Sequence, residues 1–437
     1  MDLLFEIFLF FLFFLSAALL LCLHAKRKKH VGTYSAVIFS CFFYFLLIPI
    51  ILRFSRNTNL SSKYVLNIVN ADLVELIHAM LTIALFVACF HVIYSLYNGK
   101  TAQLHYGFSE SKLTNICKIV VWITFVVGGS SFLLYISAIG GLNRLLQLAD
   151  YLRSFHTSAT EFMSYQESLL IVPSRLITVT PIVCIVLVKR TQRLSLVYLF
   201  VFLTSFLLAA IYHLSNAGKT GLLLFALCFT VPLLYKFFKH PWLIGLFIAF
   251  ACLPLLGVLD SLFHYLRTGD WRTVSTELSA YWVQFSYPFS NILKRNEILE
   301  VSGFRWGADY FTALLNILPG VSFDPSTVPT SLYYGGLFWK TRGGTPNDII
   351  TFGYLQLGYL GVAFSGTLLG FACGKIDRIL SQIGSRFSSN VIRVALLTSF
   401  FAVIVNADPT AVIMNQIPLW CIALCVLYAT TRVKSLH

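Results

Sequence analysis

Long apolar runs dominate the pattern of this chain. Stretches near the length needed to cross about 30 Å of hydrocarbon fall at about 3–23, 33–52, 73–97, 114–137, 169–188, 194–212, 222–238, 242–259, 349–373, 391–407 and 410–430. Each predicts a helix. The last two are parted only by Ala407-Asp408-Pro409. Between Asp260 and Asp348 no run of spanning length occurs. Within that stretch, Leu278, Tyr281, Trp282 and Phe285 recur at the spacing of one helical face. Asp309 to Leu318 is a second such segment, stopped by Pro319-Gly320. Trp and Tyr favour the membrane interface, so these segments predict a folded cap over one mouth of the bundle.

Composition assigns the solvent. The 437 residues are 57% hydrophobic and 11% charged, with mean hydropathy +0.78, whereas soluble domains carry about 25% charged residues. The reading is one all-α, polytopic integral membrane domain over 1–437, with about eleven transmembrane helices. A large extracytoplasmic loop, 260–348, separates the eighth and ninth. The net charge of +14 does not imply nucleic acid, because basic residues collect in cytoplasmic loops. Asp2 and Glu6 precede the first run and Lys26-Arg27-Lys28-Lys29 follows it. It is therefore no signal peptide, and the N-terminus is placed outside. Alternation then puts eighteen Lys and Arg on the cytoplasmic side, against seven on the other face outside the loop. The C-terminus is cytoplasmic. The ten cysteines all fall in or beside apolar runs, which excludes a disulfide scaffold and a loop zinc site.

Polar chemistry gathers on the outer face. Only Glu110 and Asp377 are acidic on the cytoplasmic side. The loop holds Arg267, Arg272, Lys294, Arg295, Arg305, Lys340 and Arg342. His264 to Arg272 and Lys340 to Asp348 flank it at headgroup level, where arginine forks suit either ordinary lipid headgroups or a substrate phosphate. Gly218-Lys219-Thr220 looks like the end of a P-loop but lacks the first glycine and a preceding strand. Lys219 at a helix start remains a phosphate contact. Asp72, Glu75 and His78 open the third run near the outer interface, and His91 and Asp408, isolated among apolar residues, read as structural. No metal-binding cluster or cofactor motif is evident.

Gly344-Thr345-Pro346-Asn347-Asp348 followed by Phe352-Gly353-Tyr354-Leu355-Gln356-Leu357-Gly358-Tyr359-Leu360-Gly361, with Gly307 to Pro319 before it, resembles the bacterial O-antigen polymerase (Wzy) family of oligosaccharide repeat-unit polymerases. Arg342 and Gly353 match a spacing proposed for that family. O-antigen ligases carry a His where Pro346 stands, which favours the polymerase. The resemblance implies a GT-C-like fold in the bacterial inner membrane. It also implies a glycan on undecaprenyl pyrophosphate as donor and a lipid-linked repeat unit as acceptor. The acceptor hydroxyl attacks the anomeric carbon and undecaprenyl pyrophosphate leaves. Arg342, Arg267, Arg272 and Lys219, with Arg305 behind them, are then candidates for stabilising the leaving group. Asp348, Asp270 and His264 are candidates for taking the proton. The implied partners are lipid-linked glycans, membrane lipid and a chain-length regulator of the Wzz co-polymerase type, with no cofactor.

The rival from another class is a transporter or flippase of lipid-linked glycans. Carriers place broken helices at the bilayer midplane, and the pairs Gly128-Gly129 and Gly140-Gly141 are where such breaks would fall.

Overall fold

The structure, a computed structural model, describes residues 32–54, 62–98, 106–149, 169–191, 195–215, 219–234, 255, 257–259, 261–262, 264–266, 269–271, 285–316, 323, 327–334, 345–381 and 386–432. The first half contributes α1 (Thr33–Arg53), α2 (Lys63–Val69), α3 (Leu73–Asn98), α4 (Ser111–Ile139) and α5 (Leu142–Gln147). It continues with α6 (Ile171–Val188), α7 (Leu196–Ser215) and α8 (Lys219–Leu234). The long loop contributes α9 (Tyr287–Leu293), α10 (Arg295–Ser302), α11 (Ala308–Leu315) and α12 (Thr327–Tyr333). Last come α13 (Ile349–Leu380), α14 (Arg386–Val405), α15 (Pro409–Asn415) and α16 (Ile417–Ala429). One short ribbon pairs β1 (Tyr106–Phe108) antiparallel with β2 (Thr430–Arg432).

Among the described residues, α1, α3, α4, α6, α7 and α13 are long and apolar enough to cross a membrane, and α8 and α14 carry shorter apolar stretches. This is an all-α, polytopic membrane protein, as its composition requires. The expected run 3–23 and most of 242–259 lie outside the described residues, as does most of the helical segment expected at 275–285. The expected run 410–430 is instead two helices, α15 and α16, parted at Gln416.

Contacts sort the connections onto two ends. The β1–β2 ribbon joins the segment after α3 to the chain after α16. At the opposite end Lys294 of the loop pairs with Glu75 of α3 at 2.7 Å. Lys63 of α2 donates to the Tyr333 carbonyl. The first set was expected on the cytoplasmic face and the second on the outer face, so the two ends are called inner and outer.

The α3–α13 pair forms the spine of one apolar core, which α1 and α9 complete; α4, α6, α7, α8, α14 and α16 enclose a second. Gly366 and Gly370 face the α3 backbone: a Cβ at either would lie 2.6 Å from the Phe86 or Phe90 carbonyl. Gly374, one turn further, continues this small-residue stripe, which lets the two helices approach closely and run parallel. At the inner end Asp377 of α13 accepts from the Thr33 amide at 3.0 Å and the Tyr94 hydroxyl at 2.8 Å, capping α1 and tying it to α3.

The expected ninth run, 349–373, is not a single span. Leu357 (φ −147°, ψ 26°) and Gly358 (φ 62°, ψ −142°) leave the helix, and an arm, 349–356, folds back on the crossing part, 359–380. The contact is backbone to backbone. A Cβ at Gly353 would lie 2.6 Å from the Gly361 carbonyl oxygen, and one at Gly361 would overlap the Gly353 carbonyl. In a straight helix these residues would be about 12 Å apart. The freed carbonyls are taken up by the loop: the Arg305 and Trp306 amides donate to Leu355 and Gln356, each at 3.0 Å. Every residue of the arm is buried. At 1.5 Å per residue it carries Asp348 about 12 Å inward from the turn, within electrostatic reach of Cys41 midway along α1. The pairs Gly128-Gly129 and Gly140-Gly141 are not such breaks. A π turn at Thr124–Gly128 leaves α4 continuous, and Gly140 (φ 96°) ends it.

Gly361→Val should therefore yield no monodisperse protein in mild detergent. Gly358→Ala should fold with a lower unfolding temperature, because its positive φ costs a side chain about 1–3 kcal/mol. Wild-type melting of both variants would refute the hairpin.

Candidate functional site

Two breaks in apolar segments meet inside the outer half of the bundle. Thr345 to Asp348 enters the arm, and Asn406 to Asp408 joins α14 to α15. The Ala407 amide donates to the Asn347 carbonyl at 2.8 Å and links them. Each break ends in an aspartate N-cap. Asp348 Oδ1 accepts from the Ile350 and Thr351 amides at 3.0 and 2.9 Å. Asp408 Oδ1 accepts from Thr410 and Ala411 at 2.9 and 3.3 Å. Such caps answer amides that a helix leaves unpaired.

Loop helices seal this region from the outer end. Asn291 of α9 donates to the Pro346 carbonyl at 3.0 Å, and Tyr287 donates to the Val405 carbonyl at 3.0 Å. From α12, Thr330 bonds Asn347 Oδ1 and Ser331 accepts from the Thr345 amide at 2.8 Å. Tyr64 of α2 shares a hydrogen bond with Thr345 at 2.6 Å. Even so, Asn291 Oδ1, Asn347 Nδ2, Asn406 Oδ1 and Asp408 Oδ2 are buried with no partner, and beyond its two capping amides the Asp348 carboxylate has only the Thr351 hydroxyl. Buried polar atoms are ordinarily paired. This concentration of spare acceptors and one amide donor is a buried polar cluster, called the chamber below, whose groups can hydrogen-bond a polar ligand. A carboxylate oxygen with free lone pairs is equipped to take a proton from a hydroxyl.

A second cluster braces the turn. Arg305 Nε lies 2.8 Å from both Asp309 oxygens, and Gln356, the last residue of the arm, donates to Asp309 Oδ2 at 2.6 Å. Asp309 and Arg305 both act electrostatically on Asp408, so brace and chamber are neighbours. At the outer rim Lys294 pairs with Glu75 at 2.7 Å and Glu297 at 2.9 Å, and Tyr333 donates to Glu297 at 2.7 Å. Partial burial opposes the Lys294 charge, but bonding and attraction from Glu75 and Glu297 outweigh it and raise the pKa of its ammonium. Partial burial acts likewise against the Glu297 carboxylate, and its bonds from Lys294 and Tyr333 prevail and hold its pKa low.

Of the residues selected from sequence, Asp348 lies in the chamber. Arg305 is beside it but committed to Asp309. His264 is half-buried and Asp270 exposed. Arg342, Arg267 and Arg272 lie outside the described residues; Lys219 opens α8, with its side chain not described. The sequence reading missed Asn291, Asn406, Asp309 and Gln356. Asp408 does perform the structural task expected of it, yet also turns a free oxygen into the chamber. Its signal was an Asp-Pro pair between apolar runs, the pattern of a capped helix start. No family model, curated protein or solved structure matches this chain.

The rim cluster sets a pH window. The contribution of Glu297 is complete above the ordinary glutamate value of 4.5 and is lost as pH falls below it. That of Lys294 is complete below 10.5 and is lost as pH rises past its elevated value. The unfolding temperature of wild type should exceed that of Lys294→Met across the plateau and converge with it in acid. A gap that persists unchanged at pH 3 would contradict the pairing.

Proposed function

We propose that this protein is a membrane glycosyltransferase that polymerises undecaprenyl-pyrophosphate-linked repeat units on the outer face of the bacterial inner membrane. The observation that carries this reading is the chamber: a buried aspartate with no cationic partner among the described residues, near side-chain amides and under a cap of loop helices. Amide groups and a carboxylate can hydrogen-bond sugar hydroxyls. Asp348 would accept the proton as the acceptor oxygen bonds to the anomeric carbon. The bond from that carbon to the diphosphate breaks, and undecaprenyl pyrophosphate leaves with the electron pair. Arg342, Arg267, Arg272 and Lys219 supply positive charge for the leaving group; Arg305 would have to release Asp309 to join them. The finer fold assignment, GT-C, and a Wzz-type regulator as partner belong to the same proposal. So does the orientation, with the N-terminus periplasmic and the C-terminus cytoplasmic.

One observation favours a second reading. Carriers also build their sites from discontinuous helices within the membrane, and α13 is discontinuous. A flippase of lipid-linked glycans would move them across liposomes containing the purified protein without lengthening them.

Deleting the gene should reduce the surface polysaccharide to single repeat units, and plasmid-borne wild type should restore long chains. Asp348→Asn keeps the cap, since Asn caps helices about as well as Asp, but removes the base. It should be abundant and inserted, with chain length lost. Arg342→Ala should behave alike. Unchanged chain length on deletion would end the polymerase reading; full chains with Asp348→Asn would end only the role of Asp348.

A further inference from the structure

Arg295 opens α10 beside the break in α13, and its side chain is 3% exposed. Nη1 donates to the Ile292 carbonyl at 2.7 Å. Nη2 reaches the Tyr359 hydroxyl at only 3.4 Å. The guanidinium carbon sits 5.3 Å from the centre of the Tyr354 ring, and the guanidinium also reaches the Tyr354 hydroxyl, a neutral partner. Nε is buried and has no partner. No carboxylate among the described residues pairs with it. Glu297, two positions on, is taken by Lys294 and Tyr333. Asp309, across the turn, is held by Arg305 and Gln356.

A buried guanidinium without a counter-charge is destabilising. We propose that Arg295 is the seat of an anion site for a phosphoryl group. The Nε–Nη2 edge of the fork is the edge left free or weakly held, and two parallel donors match two phosphoryl oxygens. Tyr359 is 49% exposed, so the site opens at the turn of α13, at the outer end where headgroups lie. Arg305, ranked behind the other sequence candidates for this task, already binds both Asp309 oxygens. The phosphoryl group can belong to a bilayer headgroup or to the diphosphate of a lipid carrier. The site does not depend on the polymerase reading, because a flippase substrate presents the same group.

The test uses the full-length protein in a phosphate-free maltoside detergent. Inorganic pyrophosphate and phosphatidylglycerol are titrated separately into wild type, Arg295→Gln, Arg295→Lys and Arg295→Met. At least one ligand should bind wild type, with affinity falling tenfold or more in Arg295→Gln and Arg295→Met. Arg295→Met, free of ligand, should melt no lower than wild type. Dependence on Arg295 for pyrophosphate alone identifies a diphosphate ligand, and for phosphatidylglycerol alone a bilayer headgroup. If Arg295→Gln does not fold, Arg295→Lys carries the test: it keeps the charge but loses the fork, and its affinity should also fall. No binding to wild type, or equal affinity in every folded variant, overturns the site. A lower melting temperature in Arg295→Met with affinity unchanged makes Arg295 structural. None of these measurements needs a glycan, so this proposal and the polymerase reading fail separately.

Discussion

Two glycine backbones in contact hold the outer half of this molecule in shape. Gly353 and Gly361 bring the arm 349–356 against its own crossing helix, with room for no side chain between them. A single uninterrupted helix would instead project Asp348 beyond the bundle. The reversal turns it inward, so that its cap carboxylate is buried rather than in solvent. The loop must then supply amides to the opened carbonyls, which Arg305 and Trp306 do. A backbone group left bare in such surroundings would be costly.

The buried aspartates divide into distinct roles by how many of their oxygens are occupied. Asp377 uses both, one on Thr33 and one on Tyr94, and is an architectural group. Asp309 is neutralised by Arg305 and tied to the arm by Gln356. Asp408 commits one oxygen to a helix start and leaves the other free, and Asp348, beyond its helix start, has only the Thr351 hydroxyl. Polar groups inside a membrane bundle are expensive and tend to be functional when their pairing is incomplete. The same reasoning distinguishes the arginines, for Arg305 has its carboxylate and Arg295 does not.

Much of the architecture was legible in the sequence because lipid imposes a simple rule. Apolar runs of sufficient length became helices at 33–52, 73–97, 114–137, 169–188 and 194–212 with little change. The separation of inner from outer segments, read from basic residues, agrees with the ribbon joining 106–108 to 430–432. Asp309 to Leu318 was recognised as a loop helix, and α11 lies there. Asp348, a proton-acceptor candidate from the sequence, is a buried N-cap at the start of the arm. The hairpin was not foreseen, because hydropathy counts apolar residues and is blind to direction. Its traces were Gly358 at the turn and Gly353 with Gly361 equally spaced around 357. The chamber was missed for a related reason: Asn291, Asn347 and Asn406 come from three distant segments that only the folded arm brings together.

The reversal of α13 is the claim on which chamber and anion site both rest. It is tested most directly by the distance between positions 349 and 364, spin-labelled through introduced cysteines in a variant lacking the native ones. A folded-back arm predicts strong dipolar broadening, with the backbones about 10–15 Å apart. A separation near 22 Å, the length of an unbroken helix between those positions, would contradict it.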